Sequence, residues 1–489
     1  MSNFNTWKKL LSEKRESNST TKDTYRNGFD KDYDRIISAS SIRRLQDKAQ
    51  VFPLQENDFI RTRLTHSLEV SAIARSMGLN VEARIFEDCP ELKGKLPSLL
   101  AVTGLLHDLG NPPYGHFGED VIKMFFNKKF EKSDGIKMKK YQDFEFFDGN
   151  AQTIRILTKL QELSPEKKGM NMTYATLATL IKYPFKSGDK EAENKKKIGF
   201  YETEKENYKD IIKELGLKDK QRHPVTYLLE AADDIAYLFA DIEDGFKKNV
   251  LSFEIIKKNL IKGIDEQIKS AQLKENIKKE EKLKRLMENI ENVEIKGENS
   301  KELELSYIKY YKIYIQGYLI ETVCEYFIEN FKSLLNNQEI DEEIFKIKCL
   351  LGEASFSDKI EGSLRKICKE YIYNCSEVLK LELVGERVLT FLLNTFTEAI
   401  DKMIEKYFEN KKLDEKEFEK IFEGGRNKES KLYKLISLNL RMCQELKECN
   451  SKDEMKYKGY QLIIDYISGM TDSYALKLHR ELSGIEIQV

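Results

Sequence analysis

The stretch "HDLGNPPYGHFGE", residues 107–119, places His107, Asp108, His116 and Glu119 around a Gly-Asn-Pro-Pro turn. Imidazole and carboxylate groups serve both as metal ligands and as proton carriers near neutral pH. The chain has only five histidines, so two of them bracketing acids at a chain reversal ask for an explanation. Two readings stand side by side. One is structural, an imidazole hydrogen-bonded to a neighbouring carboxylate. The other is a divalent-metal site, because a buried His-Asp pair without a cationic partner is costly and a metal compensates it.

Two further stretches add groups of the same kind. In "RTRLTHSLEVSAIARSMGLNVEARIF" (61–86), Leu64, Leu68, Ile73 and Met77 are among the apolar positions of a helix, and Arg63 and His66 share a face. His66 alone reads either as a satisfied histidine at a core edge or as a ligand. In "HPVTYLLEAADDIAYLFADIEDGF" (223–246), Pro224 suits the first helical turn, and Leu228, Leu229, Ile235, Leu238 and Phe239 form an apolar surface. Asp233 and Asp234 interrupt that surface, and Asp233, Tyr237 and Asp241 follow at four-residue steps as one polar ridge. His66, His107, Asp108 and Asp233 make a mixed nitrogen and oxygen set that suits Mn2+, Fe2+, Co2+ or Mg2+ and leaves positions for water and phosphate. The set does not choose among these ions.

The elements that must position these groups are also legible. "LPSLLAVTGLLHDLG" (96–110) is apolar nearly all round, the mark of a buried helix. Gly110 is its expected C-terminal cap, and Pro112 and Pro113 bar continuation. His107 and Asp108 are therefore expected in its last turn, beside carbonyls whose partial negative charge favours a cation. The turn then re-aims the chain, so that His116 can face a metal across a substrate.

With 489 residues the chain has room for two or three domains, or for one large core with additions. Its formal net charge is −1, so no global basic field argues for nucleic acid. All eight prolines lie at or before Pro224, which predicts a nearly all-helical second half. The Lys- and Glu-dense region 256–302 reads as a solvated helical insertion, with a partner-binding arm as the alternative. Seven cysteines without a C-x-x-C pair, no signal-peptide run and no long apolar span predict reduced thiols, a cytoplasmic location and no membrane segment. His223 reads as a residue at a helix start, and His479 receives no role.

Five words, "RRLQDKAQVFP", "RTRLTHSLEV", "HDLGNPPYGHFGE", "HPVTYLLEAADDIAY" and "DYISGMTDSYA", in this order closely resemble the bacterial deoxyguanosinetriphosphate triphosphohydrolases of the HD phosphohydrolase superfamily. The likeness is dense over 36–245 and returns near 465–475. It implies an all-α fold with an N-terminal arm (1–35), an HD-type catalytic core (36–245) and a helical C-terminal region (246–489) that completes the pocket and the oligomer contacts. It also implies a metal-dependent enzyme that hydrolyses deoxynucleoside triphosphates, foremost dGTP, to deoxynucleoside and tripolyphosphate, commonly as a hexamer.

Through the same likeness His66, His107, Asp108 and Asp233 would ligate the metal, and His116 and Glu119 would be the catalytic pair. Asn111 would lie near the α-phosphate, and Arg63 would reach a phosphate oxygen. Gln50 would contact the sugar 3′-hydroxyl, Tyr237 and Asp241 would embrace the deoxyribose, and Lys182, Tyr183 and Lys197 would hold the triphosphate. Region 250–460 offers no matching word, so guanine preference follows from the family likeness alone. Single-stranded DNA is compatible as an effector, though no basic-aromatic stripe supports it. Two rivals stand against this reading. Another HD nucleotidase or phosphodiesterase would lack the Gln50, Tyr237 and Asp241 set. A nucleotide-regulated nucleic-acid-binding protein with a vestigial site would lack a ligand or His116. This chain has all of them.

Overall fold

The computed structural model describes residues 2–17, 25–52, 60–87, 89–131, 139–161, 169–273, 277–295, 300–336, 358–409, 414–444 and 446–485. Among them the regular structure is helical throughout, apart from two isolated bridges, Arg15 with Thr173 and Ala49 with Thr62. The all-α fold expected from the sequence is the fold observed. No described helix is long and apolar enough to cross a membrane.

Before the turn, besides the short helix Ser40–Arg44, come α1 (Ser2–Leu10), α2 (Gly28–Ile37), α3 (Arg63–Ile85) and α4 (Lys95–Leu106). After the turn come α5 (Gly115–Glu131), α6 (Gly149–Arg155), α7 (Tyr174–Leu180) and α8 (Val225–Lys247). The C-terminal half contributes α9 (Ser300–Asn336), α10 (Asp358–Ile367), α11 (Ser376–Glu409), α12 (Lys452–Ser468) and α13 (Asp472–Leu482).

Helices α3 and α4 meet through small residues, and this corrects the sequence reading of α3. Of its expected apolar positions only Met77 is fully buried; Leu64 and Ile73 are half-buried and Leu68 is 42% exposed. The buried face instead carries Arg63, His66, Ser67, Val70, Ser71, Ala74 and Gly78. A Cβ on Gly104 of α4 would lie 2.7 Å from the Ser71 Cα, and one on Gly78 would lie 2.6 Å from the Pro97 Cα. Ser71 Oγ donates to the Ala101 carbonyl at 2.7 Å, so the two backbones are almost in contact. That closeness brings His66 of α3 within reach of His107 at the end of α4.

Helix α4 also stops earlier than expected. Its last residue is Leu106, and His107 is the cap, still with helical backbone angles, ahead of the turn at 107–110. At this end His107 Nδ1 donates to the Gly104 carbonyl at 2.8 Å. In a continuing helix that carbonyl would accept the amide of residue 108.

Two hydrophobic cores hold the helices. The first is built from α1–α4 and α7–α10, and includes Trp7, Val70, Leu105, Leu109 and Phe239. The second joins α5, α11, α12 and α13, and includes Tyr114, Phe126, Leu389 and Ile463. Leu109 and Tyr114 belong to different cores, so the 107–115 turn crosses the junction between them. Region 256–302 is less solvated than its composition suggests. The helices Phe253–Leu273 and Ile277–Glu291 send Ile256, Leu260, Ile264, Leu283 and Ile290 into the first core.

Candidate metal centre and active site

His66, His107 and Asp233 converge from α3, the end of α4 and α8, each offering one ligand atom within 4.8 Å of the others. His66 Nε2 lies 3.0 Å and His107 Nε2 3.4 Å from the same oxygen, Asp233 Oδ1. The two rings stand edge to face, with centroids 5.3 Å apart. Because Nδ1 of His107 carries a proton to a carbonyl, its Nε2 is left to face the other ligands. That buried Nε2 has no hydrogen-bond partner among the described residues. A site of this kind fits a divalent cation.

The electrostatics lead to the same conclusion. Burial alone would depress His107, but the carboxylates of Asp108 and Asp233 outweigh it and lift the imidazole to about 9. Burial would raise Asp233, yet His107 and His66 hold it well below the usual carboxylate range. The cluster therefore demands positive charge at its centre, which an imidazolium or a metal can supply.

Asp108 sits beside the three-residue cluster without joining it as closely. Its Oδ1 lies 3.5 Å from His107 Nε2 and accepts the Asn111 side-chain amide at 2.7 Å. Its Oδ2 takes the Arg63 guanidinium at 2.6 Å. Burial pushes Asp108 up, but His107 and Arg63 prevail and bring it to about 2. Arg63 and Asn111, both expected at phosphate oxygens, are thus gathered around a carboxylate at the metal centre.

His116 and Glu119 occupy the first turn of α5, where the chain emerges from the turn. His116 is 83% exposed, and its Nδ1 lies 3.7 Å from Glu119 Oε2. Glu119 is buried and anchored, its Oε1 accepting the Gly149 amide at 2.9 Å. A Cβ on Gly149 would lie 2.1 Å from Asn111 Oδ1 and 2.8 Å from Glu119 Oε1, so only glycine lets α6 approach both. Interaction with Glu119 raises the His116 imidazole above its ordinary value. Burial would lift Glu119, but His116 and the nearby Lys197 and Lys123 hold it at about 2. The pair is an accessible imidazole backed by a fixed carboxylate.

The remaining expected residues surround this centre. Lys197 Nζ bonds Asp148 at 2.6 Å, lies 3.8 Å from Glu119 and stands 5.9 Å above the Tyr183 ring. Lys182 Nζ pairs with Glu230 at 3.1 Å, and burial is outweighed there by Glu230, so its pKa rises. Gln50 Oε1 is buried with no hydrogen-bond partner among the described residues. Along α8, Tyr237 and Asp241 are joined by a residue that sequence reasoning missed. The Tyr237 hydroxyl bonds the Tyr373 hydroxyl, which in turn donates to Asp241 Oδ2 at 2.6 Å. Burial, with Asp244 adding to it, pushes Asp241 well above the carboxylate range. Tyr373 follows a single wide turn after α10, and no sequence periodicity distinguishes it from the other 23 of the chain's 24 tyrosines. Arg365 of α10 likewise reaches Asp234 at 2.7 Å.

With this geometry in place, comparison with known proteins is informative. The HD domain family matches residues 63–238, which contain His66, His107, Asp108 and Asp233 and the His116–Glu119 pair. The phosphohydrolase-associated domain family matches residues 430–481. A deoxyguanosinetriphosphate triphosphohydrolase-like protein of Listeria innocua is 35% identical over 98% of this chain and 99% of its own length. Its counterpart in Listeria monocytogenes is equally similar, 35% over the same shares. A deoxyguanosinetriphosphate triphosphohydrolase of Yersinia enterocolitica is 30% identical over 94% of each chain.

Proposed function

Because this chain belongs to the deoxyguanosinetriphosphate triphosphohydrolase-like family of HD-domain phosphohydrolases, we propose that it hydrolyses dGTP to deoxyguanosine and tripolyphosphate. The observation that carries the reading is the ridge on α8. Asp233 at the metal cluster and Asp241 in the tyrosine relay are eight residues apart, about 12 Å along one helix. An α-phosphate and its sugar fit along that length, with a metal ion between Asp233 and the phosphate and a hydrogen bond between the sugar and Asp241.

A divalent cation held by His66, His107, Asp108 and Asp233 would neutralise and orient the α-phosphate. Arg63 and Asn111 bind the same phosphate from the Asp108 side. Lys182, Lys197 and Tyr183 hold the β- and γ-phosphates as one unit, with two of the required positive charges. Gln50 and Asp241 receive the 3′-hydroxyl, and Tyr237, steadied by Tyr373, crowds the position of a 2′-hydroxyl. His116 exchanges the proton that the departing 5′-oxygen needs, with Glu119 fixing its ring and raising its basicity. Water attacks phosphorus, the P–O5′ bond breaks, and the proton ends on the sugar oxygen.

The same proposal includes Mn2+, Mg2+, Co2+ or Fe2+ as the ion, a cytoplasmic location and a homo-oligomer. An exposed apolar stripe on α9, with Leu303, Tyr310, Ile313 and Tyr314, supports the last of these. Light scattering tests the oligomer, and titrating single-stranded DNA into the assay tests the effector role. Product analysis tests the reaction itself. Deoxyguanosine and tripolyphosphate should appear in equal amounts, with label from ¹⁸O-water on the tripolyphosphate. Primary products of dGMP and pyrophosphate would reject the reading.

A further inference from the structure

The turn that separates His107 from His116 is held at both ends by charges from distant parts of the chain. The Lys48 ammonium, on a residue only 3% exposed, donates to the Asn111 carbonyl at 2.6 Å and the Ser468 carbonyl at 2.8 Å. Asp472, only 2% exposed, accepts the Ala49 amide at 2.9 Å through Oδ2 and the Tyr114 amide at 2.9 Å through Oδ1. Lys48 thus ties the turn to the last carbonyls of α12, an end that favours a cation. Asp472, the first residue of α13, ties the turn to the segment that leads into Gln50.

The amide that Asp472 holds belongs to a strained residue. Tyr114 has φ +63 and Gly115 has φ +61, two consecutive left-handed positions of which only the second is glycine. Such a conformation persists where its surroundings over-determine it, and the Asp472 bond is one of those determinants. His116 follows directly. The Tyr114 ring packs in the second core while Leu109 packs in the first, so the clamp sits where the two cores could shift against each other.

We propose that Lys48 and Asp472 are positioning residues that clamp the 111–115 turn and so set Asn111 and His116 against the metal ligands. The C-terminal phosphohydrolase-associated segment then fixes the geometry of a reaction whose reacting groups all lie elsewhere. This proposal rests on the dGTP reaction inferred above, and its test separates the two.

Hydrogen exchange of the peptide spanning 111–118 reads the clamp without any substrate. In Asp472→Ala, exchange there should quicken by about tenfold or more, with α3 and α8 unchanged. Unchanged protection overturns the clamp, whatever the substrate proves to be. A double-mutant cycle with His116→Ala then reads its effect on turnover. Asp472→Ala should lower kcat for dGTP by about tenfold with little change in KM, and should add almost nothing when His116 is already absent. Equal losses in both backgrounds mean a general structural effect and overturn the proposal. If Asp472→Ala does not fold, Asp472→Asn and Lys48→Met are put through the same two measurements and decide it by the same outcomes. Failure of the parent to hydrolyse dGTP would reject the functional reading alone, since the exchange result stands without it.

Discussion

His107 presents one nitrogen to the ligand cluster because the other is committed to the Gly104 carbonyl. The same bond sits at the end of α4, so it fixes the ring where the chain turns. His116 differs in being exposed and in having its partner, rather than itself, locked in place. An exposed imidazole is suited to proton exchange and contributes little to packing. His116→Ala should therefore lower kcat by about 10²-fold with dGTP affinity nearly unchanged, as steady-state kinetics and direct binding would show. A parent-like kcat would remove His116 from the reaction. At this scale the sequence was readable where rare residue types carry the chemistry, as with five histidines in 489 residues. Tyr373, Lys48 and Asp472 escaped because tyrosine, lysine and aspartate are common here, and only the folded chain shows which of them is buried beside the site.

At the scale of elements, the α3–α4 contact decides whether the ligands meet. The apolar spacing of α3 located the helix but not the small residues at its centre, since backbone closeness at Ser71 and Gly104 selects small residues for burial. Gly104→Ala should force the pair apart, destabilising the fold by about 1–3 kcal/mol. Metal affinity should fall by about tenfold as His66 and His107 separate, which isothermal titration can measure. Unaltered affinity in a destabilised variant would show that the cluster tolerates the shift. Helix α8 is anchored through His223, whose Nε2 donates to the Leu10 carbonyl at 3.0 Å and thereby joins α8 to α1. Burial lowers this imidazole from 6.5 to about 4, despite the bond to Leu10. The unfolded chain then takes up the proton first. The contribution is fully present above pH 6.5 and is lost as pH falls through about 4, amounting to about 3 kcal/mol at most. Urea unfolding at pH 7 and pH 4.5 should show a smaller acid loss in His223→Asn than in the parent. Parallel losses would refute this.

For the whole molecule, the late word "DYISGMTDSYA" turns out to be structural support for the early ones. Asp465 of α12 receives Arg155 of α6 in a two-pronged bond, Nε to Oδ1 at 2.8 Å and Nη2 to Oδ2 at 2.9 Å, with both side chains at most 2% exposed. Nothing in the sequence pairs an arginine with an aspartate so far downstream, although the resemblance flagged the segment that contains it. Removing one partner strands a buried charge, so Asp465→Ala should cost about 3–5 kcal/mol in urea unfolding. Arg155 also bonds the buried Glu204 at 2.8 Å, so Arg155→Met, Asp465→Leu and Glu204→Gln together should recover most of that loss, and a triple variant as unstable as the single would refute the account. Arg155 and Asp465 are 310 positions apart. At about 5–20 residues per second of synthesis, on the order of 15–60 s passes between their appearance at the ribosome. For that interval the guanidinium has Glu204, 49 positions on, but not its two-pronged bond to Asp465, and the interior around Arg155 stays wet. A product cut short by premature termination never closes that gap, so a protease patrolling new chains meets it already open.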